Sequence, residues 1–225
     1  MKPARTVIHR SPHRKVGAIH APWFQPEPIH YESDLERGAV EVMLLMPMAR
    51  QIRHQPMTLN YELDGGLHRY TPDFQVTFVD GQEIVVEVKA ERFVDEHRGK
   101  FDRCASQLLS GGIDFFVCTD LSLDDERIGR ACALRDAARR AAPPEAVSTL
   151  LRWVQEAGRL QIGESLEAGI DLRVVMHAVG RRLLTVGPEL DLASVNWLQL
   201  MEPEDGDLCC SSWLGSARWT ENMAL

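Results

Sequence analysis

Three residues of this sequence belong to the types that together hydrolyse phosphate esters: Asp73, Glu87 and Lys89. Asp73 ends the run Arg69-Tyr-Thr-Pro-Asp73. Glu87 and Lys89 close the run Ile84-Val-Val-Glu-Val-Lys89. Two carboxylates on one side of a strand pair can hold Mg²⁺, which prefers oxygen ligands and retains several waters; Mn²⁺ is expected to substitute. A lysine beside them can orient or deprotonate the attacking water, or neutralise charge growing on the phosphate. The trio is the minimum set for metal-assisted cleavage of a phosphodiester, provided the chain brings it together.

A β-hairpin would do so. The β-branched run 84–89 reads as a strand, and side chains alternate faces along a strand. Phe74, Val76 and Phe78 share one face of the first strand; Ile84, Val86 and Val88 share one face of the second. Laying these apolar triplets on one core leaves Asp73, Glu87 and Lys89 together on the other side. A two-residue loop would mix apolar and charged residues on both faces. A three-residue loop over Asp80-Gly81-Gln82 pairs Phe74 with Val88 and sets Asp73 opposite Lys89, with Gly81 or a neighbour in the left-handed region.

The flanking elements suggest what carries this hairpin. Ser33 caps a helix running to about Met46, ended by Pro47, and Glu36 at the third helical position completes a capping box. Residues 51–63 read as a strand closed by the turn Asp64-Gly65-Gly66. Helices are expected over 95–110 and 124–140, with a strand over 113–119 whose unbroken apolar run suits burial on both faces. The fold class is α/β, a mixed sheet flanked by helices. Ala141-Ala-Pro-Pro-Glu145 marks a boundary. Beyond it, helices over 147–157, 162–168 and 172–179 precede a hairpin of 182–186 and 195–200, which predicts a small winged-helix-like domain with Arg173, Arg181 and Arg182 on its basic side. Three segments result: an extended basic arm over 1–30 that Trp23 and Phe24 pin to the body, a catalytic domain over 31–142, and a helical domain with an acidic tail over 143–225.

These residues resemble a known family. Pro72-Asp73 with Glu87-Val88-Lys89 resembles the PD-(D/E)xK pattern of restriction-endonuclease-like nucleases. Tyr31-Glu-Ser-Asp-Leu-Glu36 before a helix, Gln55-Pro56, Tyr70-Thr-Pro-Asp-Phe74 and Val85-Val-Glu-Val-Lys89 come in the order seen in TnsA, the endonuclease subunit of heteromeric cut-and-paste transposases. The resemblance covers roughly residues 10–140, and more loosely the rest. Some TnsA proteins carry Gln at the position of Glu87. The resemblance implies Asp73, Glu87 and the Val88 carbonyl as Mg²⁺ ligands, Lys89 as the residue that positions water, and Glu36 as a catalytic carboxylate completing the metal or water shell. For Glu36, the simple capping role stands beside this one. The resemblance also implies cleavage of one strand of double-stranded DNA at transposon ends, with a TnsB-like transposase and a TnsC-like ATPase regulator. The alternatives are a PD-(D/E)xK nuclease of a phage or restriction system, and a non-catalytic DNA-binding or assembly module on the same fold.

Composition narrows the setting. The 225 residues are 44% apolar and 26% charged, as in soluble globular proteins. No apolar run approaches the ~20 residues of a spanning helix. The five cysteines form no C-x-x-C pair and read as reduced cytoplasmic thiols. His9 and His13 are separated by Ser11-Pro12, which breaks any helix that could present both to a metal. The net charge of −8 excludes a general DNA-coating protein. Residues 1–30 hold five Lys/Arg against one Glu, whereas 201–225 hold one Arg against five acids. The arm therefore suits phosphate and the tail does not.

Overall fold

The computed structural model describes residues 15–201 and 206–220. The central sheet has four strands in the order β3-β6-β7-β8: β3 (Ala49–His54), β6 (Phe74–Phe78), β7 (Glu83–Val88) and β8 (Asp114–Cys118). The first two pairings are antiparallel and β7–β8 is parallel, so the sheet is mixed. β6, β7 and β8 are largely buried because both faces are covered. Phe74, Val76, Ile84, Val86 and Phe116 face the main core, into which α1 (Asp34–Met43) and α3 (Asp125–Arg139) pack. Val85, Phe115 and Val117 face a second core with Phe101, Cys104 and Leu108 of α2 (Arg98–Ser110).

The expected strand over 51–63 is two strands. β3 stops at His54, and β4 (Leu59–Leu63) pairs with β5 (Gly66–Tyr70) in a separate hairpin against α2. The break falls at Gln55-Pro56, where proline removes a ladder donor. The expected turn is present: Asp64 and Gly65 both have positive φ, 52° and 74°, as a two-residue type I′ loop requires.

The register of β6 on β7 differs from the expectation by two residues. Phe74 pairs with Val86 and Val76 with Ile84. The loop does have three residues, but they are Val79-Asp80-Gly81. The Phe78 amide donates to the Gln82 carbonyl at 2.9 Å, and the Gly81 amide to the Phe78 carbonyl at 3.1 Å. Gly81 has φ 93°. In such a loop the left-handed residue comes last, which fixes glycine at the third position and slides the pairing by two. Parity is kept, so the faces are as expected, but continuing the pairing sets Asp73 opposite Glu87 and not opposite Lys89.

The first described residues also depart from an extended arm. β1 (Gly17–Ile19) and β2 (Ile29–Tyr31) form an antiparallel hairpin whose Ile19, Ala21 and Ile29 enter the main core. Trp23 and Phe24 do lie against that core, under Arg181 and Arg182 at 5.5 and 4.9 Å from the ring centroids. Residues 1–14 of the expected 1–30 arm, with His9 and His13, lie outside the described residues.

After α3 the order is α4 (Pro144–Ala157), β9 (Arg159–Gln161), α5 (Ile162–Glu167), α6 (Leu172–Gly180), β10 (Leu184–Thr185), β11 (Trp197–Leu200) and α7 (Gly206–Leu214). The three strands form an antiparallel sheet in the order β10-β11-β9. Leu150, Val154, Ile162, Val174, Val175 and Leu198 of this region join the same buried cluster as Phe74 and Val86. The two sides of Pro143-Pro144 therefore share one core. Arg182 is not on a basic surface: it donates to the Met46 carbonyl at 2.9 Å, and burial lowers its pKa to about 10. Of the acidic tail, 202–205 and 221–225 lie outside the described residues.

Candidate active site

Glu36, Asp73, Glu87, Val88 and Lys89 line one cleft of about 750 Å³. Each comes from an element end. Asp73 immediately precedes β6, Glu87 and Val88 end β7, Lys89 follows it, and Glu36 lies in the first turn of α1. The strand ends supply the cleft floor and the helix its wall.

The Asp73 carboxylate accepts from the Val88 amide at 2.9 Å. The next amide, of Lys89, donates instead to the Cys118 carbonyl on β8, also at 2.9 Å. The N–H and C=O of one strand residue point to the same side. The Val88 carbonyl therefore faces the Asp73 side of the strand. Asp73, Glu87 and this carbonyl form a set of three oxygens where β6 and β7 begin and end.

Charge crowds this set. Burial, then the Glu87 carboxylate, then the Glu36 carboxylate hold the Asp73 pKa well above the ordinary Asp range. Glu36 is also raised, first by burial and then, after opposing hydrogen bonds, by Glu32 and Glu87. Glu87 is braced on both oxygens. The Tyr70 hydroxyl donates to its Oε2, and Lys100 Nζ lies 3.5 Å from its Oε1. Lys100 also sits 4.4 Å from the Tyr70 ring centroid, a cation–π contact. Burial and then the Glu87 and Asp73 charges push the Tyr70 phenol well above its usual range, so it remains a donor.

Glu36 makes the capping box expected of it. Its amide donates to Ser33 Oγ at 3.1 Å, and its carboxylate accepts from the Glu32 amide at 2.7 Å and from Ser33 Oγ at 3.1 Å. It therefore both caps the helix and faces the cleft. Glu41, on the same helix, is instead buried against Arg135 at 2.7 Å, away from the cleft lining.

Among the described residues no group of three or more His, Cys, Asp or Glu is placed to hold a metal ion. The donor set still fits Mg²⁺, which usually takes one or two carboxylates and keeps water in its remaining positions. A dication would also relieve the repulsion that raises Asp73. Transition-metal sites with thiolate ligands are not suggested: Cys104, the nearby cysteine, has its thiol pushed up to about 12 by burial.

Tyr70, Lys100, Gln55 and Glu32 also line the cleft and were not singled out as site residues by sequence. Tyr70 stands in the Tyr-Thr-Pro-Asp run, but nothing in its type shows that it reaches Glu87. A lysine in the first turn of a helix, as Lys100 is, reads as solvated.

A mixed sheet between helices, with an Asp and a Glu-x-Lys at one end of adjoining strands, is compatible with the restriction-endonuclease-like nucleases. Residues 47–120 match the family model described as the TnsA-like endonuclease N-terminal domain, so over that segment the chain is similar to TnsA-like endonucleases. No curated protein matches the chain. Among the described residues no helix is long and apolar enough to cross a membrane.

Proposed function

We propose that the protein is a Mg²⁺-dependent DNA endonuclease that cuts one strand at transposon ends together with a TnsB-like transposase and a TnsC-like regulator. The observation that carries the reading is the convergence of Asp73, Glu87 and Lys89, all within the segment that matches a TnsA-like endonuclease domain, on a cleft that Glu36 also lines.

The cleft lining holds four Lys/Arg and five Asp/Glu, so on its own it repels a phosphate diester. Asp73, Glu87 and the Val88 carbonyl would hold Mg²⁺, which when bound supplies positive charge at the scissile phosphate and an acidified water. Tyr70 and Lys100 keep the Glu87 carboxylate oriented. Lys89 orients the attacking water and faces the charge that develops on the phosphate. Glu36 holds the water from the α1 side.

The C-terminal region runs helix-strand-helix-helix-strand-strand with a three-stranded antiparallel sheet, an order that supports the winged-helix reading. With Arg181 and Arg182 set against Trp23 and Phe24, its role is contact with protein partners more than reading of bases. DNA delivery then falls to the partner, in keeping with the net charge of −8.

The test is nicking of a labelled transposon-end duplex by the purified protein in Mg²⁺, with and without a TnsB-like transposase that binds the same end. Expected are slow cutting alone and strong stimulation by the transposase. No cutting in either arm, or vigorous sequence-independent digestion by the protein alone, would overturn the reading.

A further inference from the structure

Gln55 stands out on three independent counts. It is a non-glycine residue with φ 46°, in the left-handed region that long side chains rarely occupy. It precedes Pro56, a position that normally takes extended backbone. Strain of this kind is costly and gathers at functional sites. Second, Gln55 is only 5% exposed, yet its Oε1 has no hydrogen-bond partner. Buried polar atoms of this kind are rare and call for a reason. Third, it lines the cleft with Glu36 and Asp73.

Its bonds supply the reason. The Gln55 amide donates to the main-chain carbonyl of Asp73 at 2.8 Å. Its side-chain Nε2 donates to Glu32 Oε1 at 3.2 Å. The Glu32 amide in turn donates to Glu36 Oε2 at 2.7 Å. A series of hydrogen bonds thus joins the backbone of Asp73, just before β6, to the carboxylate of Glu36 on the helix, with Gln55 and Glu32 as its two inner members. A carboxylate accepts but does not donate when ionised, so Glu32 fixes which end of the amide faces it. Oε1 is left buried without a donor, so the arrangement holds the amide toward Glu32 at the expense of a hydrogen bond. The left-handed backbone is what lets one residue bond Asp73 with its amide and Glu32 with its side chain where β3 has ended.

We infer that Gln55 is a positioning residue of the nuclease site: it sets Glu36 against Asp73 across the cleft. The inference rests on the nuclease reading above. A shift of about 1 Å in a catalytic group can cost 10²-fold in rate, which is the scale of effect expected from breaking the series.

The experiment uses the full chain and measures single-turnover nicking at saturating Mn²⁺, Mn²⁺ affinity by calorimetry, and the thermal midpoint. Gln55→Asn tolerates the left-handed backbone but is one methylene too short to reach Glu32. It should keep a cooperative transition and cut at least about tenfold more slowly. Gln55→Glu sets two carboxylates face to face and should also be slow. Adding Glu32→Gln to it restores the pair with donor and acceptor exchanged, and should recover cutting to within about threefold, well inside the loss expected from misplacement. A merely structural role would leave the rate of folded Gln55→Asn untouched, and that result overturns the inference. So does failure of the folded exchange pair to recover. If the unaltered protein neither binds Mn²⁺ nor cuts, the nuclease reading fails and this inference falls with it; if it does both and Gln55→Asn matches it, only this inference fails.

Discussion

Asp73 and Lys89 line the same cleft but are suited to different tasks. Asp73 is crowded by Glu87 and Glu36 and buried with them, the setting of a cation ligand. Lys89 carries a positive charge and cannot be a ligand while it does. Asp73→Ala is therefore expected to lose both Mn²⁺ or Ca²⁺ binding and DNA cutting. Lys89→Ala should lose cutting by at least about 10²-fold, the scale of one electrostatic group at the reacting centre, while its calorimetric affinity for the metal stays close to that of the unaltered protein. Undiminished metal binding by Asp73→Ala would remove that residue from the site. The same crowding sets a pH dependence. The folded state holds Asp73 at a pKa above the unfolded value, so between the two the folded state binds more protons. Its stabilising share is full below the unfolded Asp pKa and is lost as pH rises through the raised folded value. In EDTA the unfolding midpoint should fall as pH rises through that window, and Asp73→Asn should flatten the dependence. An equally steep profile in Asp73→Asn would show that another group is responsible.

The hairpin of β6 and β7 decides whether those residues meet at all. Its loop depends on Gly81 at φ 93°, where an added Cβ meets nothing within 4 Å. The cost of Gly81→Ala is therefore backbone strain alone, about 1–2 kcal/mol, read as a lower unfolding midpoint with metal affinity retained. One residue inserted between Asp80 and Gly81 should do the reverse. Slipping either strand by one turns every side chain to the other face, parting Asp73 from Glu87. A folded insertion variant that binds Mn²⁺ as tightly as before would contradict the register. This element also marks how far the sequence could be read. Alternation placed Asp73 and Glu87 on one face because parity follows from the apolar triplets alone. The two-residue shift was hidden because both registers obey that parity; only the requirement for glycine in the last loop position separates them. Ser33 and Glu36 were legible as a capping box because cap chemistry is local. The hairpin of 17–31 was not, since its proline-containing run carries no alternation, and neither was the Lys100 contact with Glu87, which depends on how α2 packs against the sheet. Gln55-Pro56 was visible as a pattern, but neither its left-handed backbone nor its bond to Glu32 is written in residue type.

At the scale of the whole molecule, the Pro143-Pro144 junction looks like a domain boundary in sequence and is crossed by packing in three dimensions. Leu134 and Ala138 of α3 are buried, as are Val174, Val175 and Ala178 of α6. Gly180, at the end of α6, lies so close to α3 that an added Cβ would come 2.1 Å from the Leu134 carbonyl oxygen and 3.1 Å from the Ala138 Cβ. Helices approach that closely only where one of them lacks a side chain. A chain ending at residue 142 would lose α6 and expose the buried faces of α3 and α1, together with Phe116 and Cys118 at the edge of the same core. Such a chain is expected to show no cooperative thermal transition. Truncation is a blunt test, because a shortened chain can fail for many reasons, so a single substitution is the sharper one. Gly180→Ala places its methyl against main-chain atoms that cannot rotate away, and α6 must move off α3. Overpacking of this kind costs typically about 1–3 kcal/mol. The unfolding midpoint should drop for the whole protein in one transition, since the regions before and after residue 143 share a core. A lowered early transition with the rest unchanged, or a truncated chain that melts cooperatively, would show that the two regions fold independently and that the nuclease sheet needs nothing from the C-terminal helices.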